Sequence, residues 1–159
     1  MYKRILVAID PSPMGRHVLD SAISLATATG AELHLLRVLS YEDEHAPGLK
    51  EKGTPEYQHR WNEFEKDGNA ILSTSLAQVE AAGLKAESSL LPGKPGRLIC
   101  QLADEWNADT IVLGRRQMTG FKELLLGSVS NYVVHSAPCS VLIVQERDRP
   151  GASTPAYGS

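Results

Sequence analysis

The strongest constraint on this chain is an alternation: five short apolar runs are separated by four stretches with helical spacing. The runs fall at residues 5–9, 32–39, 85–91, 110–113 and 140–144. Most of them, such as Ile5-Leu6-Val7-Ala8-Ile9 and Thr110-Ile111-Val112-Leu113, are nearly continuous in β-branched or aliphatic residues, as strands buried on both faces are. Strands that alternate with helices run parallel and are joined by right-handed crossovers, which place helices on both faces of the sheet. The expected fold is therefore a single Rossmann-like α/β domain over residues 1–146, a length that buries one substantial core.

The helices are legible from apolar stripes. Met14, Val18, Ala22, Leu25 and Ala26 form the first, with Ser12 as a cap candidate, Pro13 in the first turn and Gly30 as the stop. Trp61, Phe64, Ile71, Leu72, Ser75, Leu76 and Val79 form a longer one ended by Gly83. Leu98, Ile99, Leu102, Ala103 and Trp106 form the third, and Val129, Val133 and Val134 belong to the fourth. Trp61, Phe64 and Trp106 lie on these stripes and are expected in the core rather than in a stacking site.

Two segments break the rhythm. Residues 41–57, with Pro47, Gly48, Gly53 and Pro55, read as a long polar connection, either a lid or an insertion without fixed structure. The tail at 147–159 is too poor in apolar residues to order itself and is expected to be disordered.

Composition narrows the function classes. The net charge of −3 gives no basic face with which to displace counterions, which argues against duplex nucleic-acid binding. No 18-residue apolar run offers a membrane span, and Met1-Tyr2-Lys3-Arg4 leads straight into the first strand without the apolar core of a signal peptide. The two cysteines, Cys100 and Cys139, sit in apolar patterns and suggest buried thiols in a reducing compartment. A cytoplasmic location is expected.

In an open parallel sheet, ligands bind beyond the carboxyl ends of the strands where strand order reverses. Asp10-Pro11-Ser12 follows the first strand, Val38-Leu39 closes the second, and Gly114-Arg115-Arg116-Gln117 follows the fourth. Gly127-Ser128 then opens the last helix, where Ser128 is a candidate N-cap and free amides and the helix dipole favour an anion. Asp10 can accept from a ribose hydroxyl or coordinate a hard cation, and Arg115 and Arg116 can reach phosphate. Each has an ordinary reading as well: Asp10 as a turn residue, the arginines as a solvated loop, Gly127-Ser128 as a plain helix start.

Taken together, Asp10, the glycine loop from Gly114 to Gly127-Ser128 and the final strand resemble the universal stress protein family. The resemblance runs from about Lys3 to Gln145 and includes Gly93-Lys94-Pro95, Leu125-Leu126-Gly127-Ser128-Val129-Ser130 and Ala137-Pro138-Cys139-Ser140. It implies a five-stranded sheet ordered 3-2-1-4-5, a homodimer joined through the last strands and, in the ATP-binding branch, one adenine nucleotide per subunit. Carried onto this sequence, Asp10 and Pro11 line the nucleotide site and Val38 contacts the adenine. Gly114 and Arg115 lie beside the ribose and phosphates, while Gly127, Ser128 and Val129 hold the phosphates. The cofactor implied is ATP, or AMP or ADP, accompanied by Mg²⁺ or Mn²⁺, with Asp10 as the candidate metal contact. One position departs: Gln117 stands where the family motif has its second glycine. That departure favours the alternative, a dimeric interaction protein of the same fold without nucleotide.

No catalytic constellation stands out. The chain lacks the Gly-x4-Gly-Lys-Ser/Thr loop of phosphate-transfer enzymes, and Val144-Gln145 follows Cys139 where a phosphatase-like loop has its arginine. The five histidines show no metal spacing; His34 reads as a packed strand residue. At most slow hydrolysis of a bound nucleotide is expected. The edge strand Val141-Leu142-Ile143-Val144 is apolar on both faces and invites pairing with a second copy.

Overall fold

The computed structural model describes residues 2–115 and 127–145. Arg116, Gln117, Gly120, Leu125 and Leu126 of the loop, and the tail at 147–159, lie outside the described residues.

Five strands, β1 (Arg4–Ala8), β2 (Glu32–Leu39), β3 (Ala86–Pro92), β4 (Thr110–Gly114) and β5 (Ser140–Val144), form one sheet in the order β3-β2-β1-β4-β5. Every pairing is parallel, with Ile5 opposite Leu33 on one side and Thr110 on the other. Strand order therefore reverses at β1, whose neighbours are the next strand in sequence and the fourth.

Alternation along each strand divides the core. Ile5, Val7, Leu33, Leu35 and Val112 point to one face, where α1 (Pro13–Thr29) and α2 (Pro55–Ala81) bring Val18, Ala22, Ala26, Leu72 and Val79 against them. Leu6, Leu36, Ile111 and Leu113 point to the other, under Ile99 and Ala103 of α3 (Pro95–Glu105) and Val133 of α4 (Ser128–Ser136). Each of the larger aliphatic side chains stabilises the fold by about 1.5–3 kcal/mol relative to exposure, so the doubly wound arrangement follows from central strands, β1 and β4 above all, that are apolar on both faces.

Local signals set the helix ends. Gly30 closes α1 in the left-handed region at φ 74°, its amide donating to Ala26 O. Thr54 opens α2 by accepting the Tyr57 amide at 3.1 Å. Two sequence expectations shift here. The connection after β2 is shorter than residues 41–57, because Pro55 already sits in the first turn of α2 and a single 3₁₀ turn, Leu49–Glu51, lies within it. At α4 the N-cap is Gly127 and Ser128 is the first helical residue, so Ser128 does not serve as the cap.

The connection is tied down rather than loose. Arg37, buried on β2, donates through Nη2 to Asp43 Oδ2 at 3.3 Å and through Nη1 to the Val38 carbonyl at 2.9 Å. Burial pushes the Asp43 carboxyl up, but the His45 amide and the Arg37 guanidinium outweigh it and hold the group below the usual carboxylate range. Tyr41 stacks on half-buried Trp61, whose ring also lies near-parallel to Tyr57. Phe64 and Trp61 thus differ: the first is core, the second a base for the connection.

Candidate functional site at the carboxyl ends of the strands

Because β1 and β4 run side by side, Asp10 and Gly114 leave adjacent strands at the same end of the sheet. The Ile9 amide donates to Leu36 O at 2.8 Å, which extends the β1–β2 ladder to the residue before Asp10. Asp10 Oδ1 accepts the Ser12 amide and Oδ2 the Ser12 hydroxyl, both at 3.0 Å. The carboxylate thus orders the entry to α1, whose N-cap Ser12 makes no capping bond of its own. Pro11 is exposed beside it.

Gly114 ends β4 under α1. A Cβ there would lie 2.7 Å from Met14 Cγ and 2.9 Å from Val18 Cγ2, so packing alone demands the missing side chain. Arg115 is anchored at its backbone, its amide donating to Val144 O at 3.0 Å, and its Nη1 reaches Gln145 Oε1 at 3.3 Å. The first turn of α4 is tied to the same point: Ser130 Oγ, buried, donates to the Gly114 carbonyl at 3.1 Å. That bond holds the helix start, with Gly127, Ser128 and Val129, against the exit of β4. The first amides of a helix have no acceptor within it, and here they belong to those residues. Gly127 has φ −59° and ψ 161°, a conformation open to any residue, so what it contributes is the absence of a side chain before those amides.

Val38 lies across the switch point on β2, with its side chain in the core. What it can offer a ligand is main chain. Its carbonyl already accepts from Arg37.

Two residues of this arrangement escape a reading by motif. Ser130 is a positioning residue, and Gly15 has its α-carbon so close to the Asp10 carbonyl oxygen that a Cβ would overlap it. A glycine in the first turn of a helix, where propensity disfavours it, is the sequence signal for the second.

The donor set suits an anion better than a bare cation. Asp10 is the one carboxylate among the proposed site residues, and among the described residues no group of three His, Cys, Asp or Glu side chains could hold a metal. A divalent ion fits only as the companion of a phosphate chain. Cys100 and Cys139 are free and half-buried, and burial pushes both thiols up, away from nucleophilic thiolate. No described helix is long and apolar enough to cross a membrane.

Fold and strand order define an open, doubly wound α/β protein whose topological switch point, the place where such sheets bind ligands, lies between the ends of β1 and β4. The family model of the universal stress protein family matches residues 1–145. The chain belongs to that family. It is 35% identical over 155 residues to universal stress protein Sll1388 of Synechocystis, which covers 91% of this chain and 98% of that one. The fold is shared with UspA from Lactobacillus plantarum (24% identity, TM-score 0.75, covering 91% of this chain and 98% of that one). A universal stress protein determined in complex with cAMP is 25% identical with a TM-score of 0.66, covering 91% of this chain and 97% of that one.

Proposed function

We propose that this protein binds an adenine nucleotide, ATP in the first instance, and acts as a dimeric cytoplasmic module in stress response or signalling. The single observation that carries the reading is the Ser130–Gly114 hydrogen bond, which sets the amide-rich start of α4 at the exit of β4, next to the end of β1. The relative in complex with cAMP supports it, because that ligand combines adenine, ribose and phosphate.

In this reading the amides of Gly127, Ser128 and Val129 and the dipole of α4 take the phosphates. Arg115 and Gly114 flank ribose and phosphate, Asp10 and Pro11 line the site, and Val38 meets the adenine through main chain. Mg²⁺ or Mn²⁺ rides on the phosphate chain near Asp10. β5 pairs with its twin across the dimer. A second reading, an interaction protein without nucleotide, rests on Gln117 at the motif's second glycine.

Titration of nucleotide-stripped protein with Mg·ATP separates the two. Binding near one per subunit is expected, and Gly127→Val is expected to weaken it at least about 100-fold, since a branched side chain blocks the amides while φ at that position stays allowed. No binding by the wild type up to millimolar ATP would leave the interaction protein as the better account. Equal binding by wild type and Gly127→Val would remove α4 from the site.

A further inference from the structure

On the α3 side of the sheet, away from the switch point, β2 and β3 bring a serine, a histidine and a carboxylate into one row. His34 pairs in register with Glu87, and Ser89 lies two residues further along the same face of β3. The Ser89 hydroxyl is 2.7 Å from His34 Nε2, and Glu87 Oε1 is 3.4 Å from His34 Nδ1. His34 is 6% exposed and its Nδ1 is buried with no hydrogen-bond partner, while Glu87 is exposed and Ser89 is half-buried. Trp106 meets the imidazole edge-on at 5.1 Å and 84°, which fixes the ring plane.

This order of groups sets the protons. A carboxylate facing Nδ1 favours the tautomer with its proton there, which leaves the Nε2 lone pair to accept from Ser89 Oγ. Burial keeps His34 neutral near neutral pH, so the base is in its working form. A packed histidine needs only one partner; here Nε2 has Ser89 at hydrogen-bond distance and Nδ1 faces the Glu87 carboxylate as an ion-pair partner at 3.4 Å, with the Ser89 hydroxyl only half-buried.

We propose that Ser89 is a nucleophile activated by His34 and oriented by Glu87, and that it accepts acyl groups from small activated esters. In the step, Ser89 Oγ bonds to the acyl carbon as its proton passes to His34 Nε2. The bond from that carbon to the leaving oxygen breaks, and the leaving group departs with the proton from Nε2. The products are an acyl-serine and an alcohol or phenol, with no oxidant or further reactant. The three residues supply nucleophile activation and not a cradle for the oxyanion, so stoichiometric acylation is expected rather than rapid turnover.

The test uses p-nitrophenyl acetate on the full chain, with the modified peptide located by mass spectrometry. Acetylation of Ser89 is expected at least about 100-fold faster than in the urea-unfolded chain, the usual reach of base assistance. Ser89→Ala removes the adduct. Because His34→Gln disturbs a buried position, Glu87→Gln serves as the second variant: it sits on the surface and is expected to slow Ser89 acetylation about tenfold while surface lysines acetylate at wild-type rates. Acetylation confined to lysines, or a Ser89 rate equal to that of the unfolded chain or unaltered by Glu87→Gln, overturns the proposal.

Discussion

The sheet has two edges, and the chain treats them differently. β3 presents Glu87 and Ser88 to solvent and ends in Pro92, devices that deny a stray strand a template. Further along the strand α2 packs against one face, approaching so closely at Gly68 that a Cβ would lie 2.9 Å from Leu90 Cδ1 and 3.2 Å from Leu39 Cδ2. β5 carries Val141, Leu142, Ile143 and Val144 with no charge among them. Leu142 is 41% exposed, and Tyr132 and Val134 of the neighbouring α4 are 43% and 46% exposed. One edge is closed by its own composition; the other is apolar, and an exposed apolar edge is the kind of surface that marks an interface. The proposed dimer covers it.

The largest effect is expected at the apolar edge. Val141 and Ile143 pack into the α3–α4 core, so a charge at either mixes unfolding with dissociation. Leu142 is the cleaner probe. Leu142→Lys is expected to weaken the dimer at least about 100-fold, near 3 kcal/mol, and light scattering should report monomers with unchanged circular dichroism. An unchanged dimer mass would mean that β5 is not the interface.

On the β3 side the next effect falls within one chain. Asp43→Ala leaves Arg37 buried without its carboxylate, and losing one member of a buried pair costs on the order of 3 kcal/mol. Urea denaturation should show that loss. Its pH dependence has a fixed sign: the Asp43 carboxyl is held below its usual 3.8, so its contribution is complete above that value and fades as pH falls through the folded-state pKa. A wild-type midpoint for Asp43→Ala would mean that the connection contributes nothing to the β3 side.

Strand existence, strand direction and the two-faced core were legible because most strands are apolar at consecutive positions, a pattern with few alternatives; β3, with Glu87-Ser88-Ser89, is the exception. Some strand boundaries slipped by one residue: β1 begins at Arg4 and not Ile5, and β3 runs to Pro92. The candidate residues were legible as strand ends and a helix start, and the structure brings those together, but the bonds among them were not legible. Ser128 looks like a cap by residue type, yet Gly127 takes that place and Ser130 makes the bond that matters, a choice made by the tertiary position of the Gly114 carbonyl. The connection after β2 read as loose because its composition is polar. Its order comes from one buried arginine on a mostly apolar strand, a residue whose partner lies six positions away and is not marked by any periodicity.

Exchanging the chemistry of the edges sharpens the contrast. Glu87→Val gives β3 the apolar character of β5, and association beyond the dimer is expected to appear in light scattering at high concentration, an effect of about 1 kcal/mol or less per contact. If the variant stays at the wild-type mass, the polar residues of β3 are not what protects that edge.

The smallest effect is a titration at the same edge. Burial holds the His34 imidazole below its ordinary 6.5, and the Glu87 carboxylate offsets part of that shift. With the folded value depressed, the fold favours the neutral ring; its contribution is complete above 6.5 and is lost as pH falls through that value toward the folded-state pKa. The melting temperature should therefore decline modestly between pH 7.5 and 5.5. Glu87→Gln removes the one favourable charge on the protonated ring, so it should steepen the decline, whereas loss of an exposed carboxylate with no bearing on His34 would leave the slope as it is. Among the described residues β5 itself carries no titratable side chain. Acid should thus loosen the β3 side of the sheet first, and amide hydrogen exchange resolved along β2–β3 and β4–β5 at the two pH values would show whether it does.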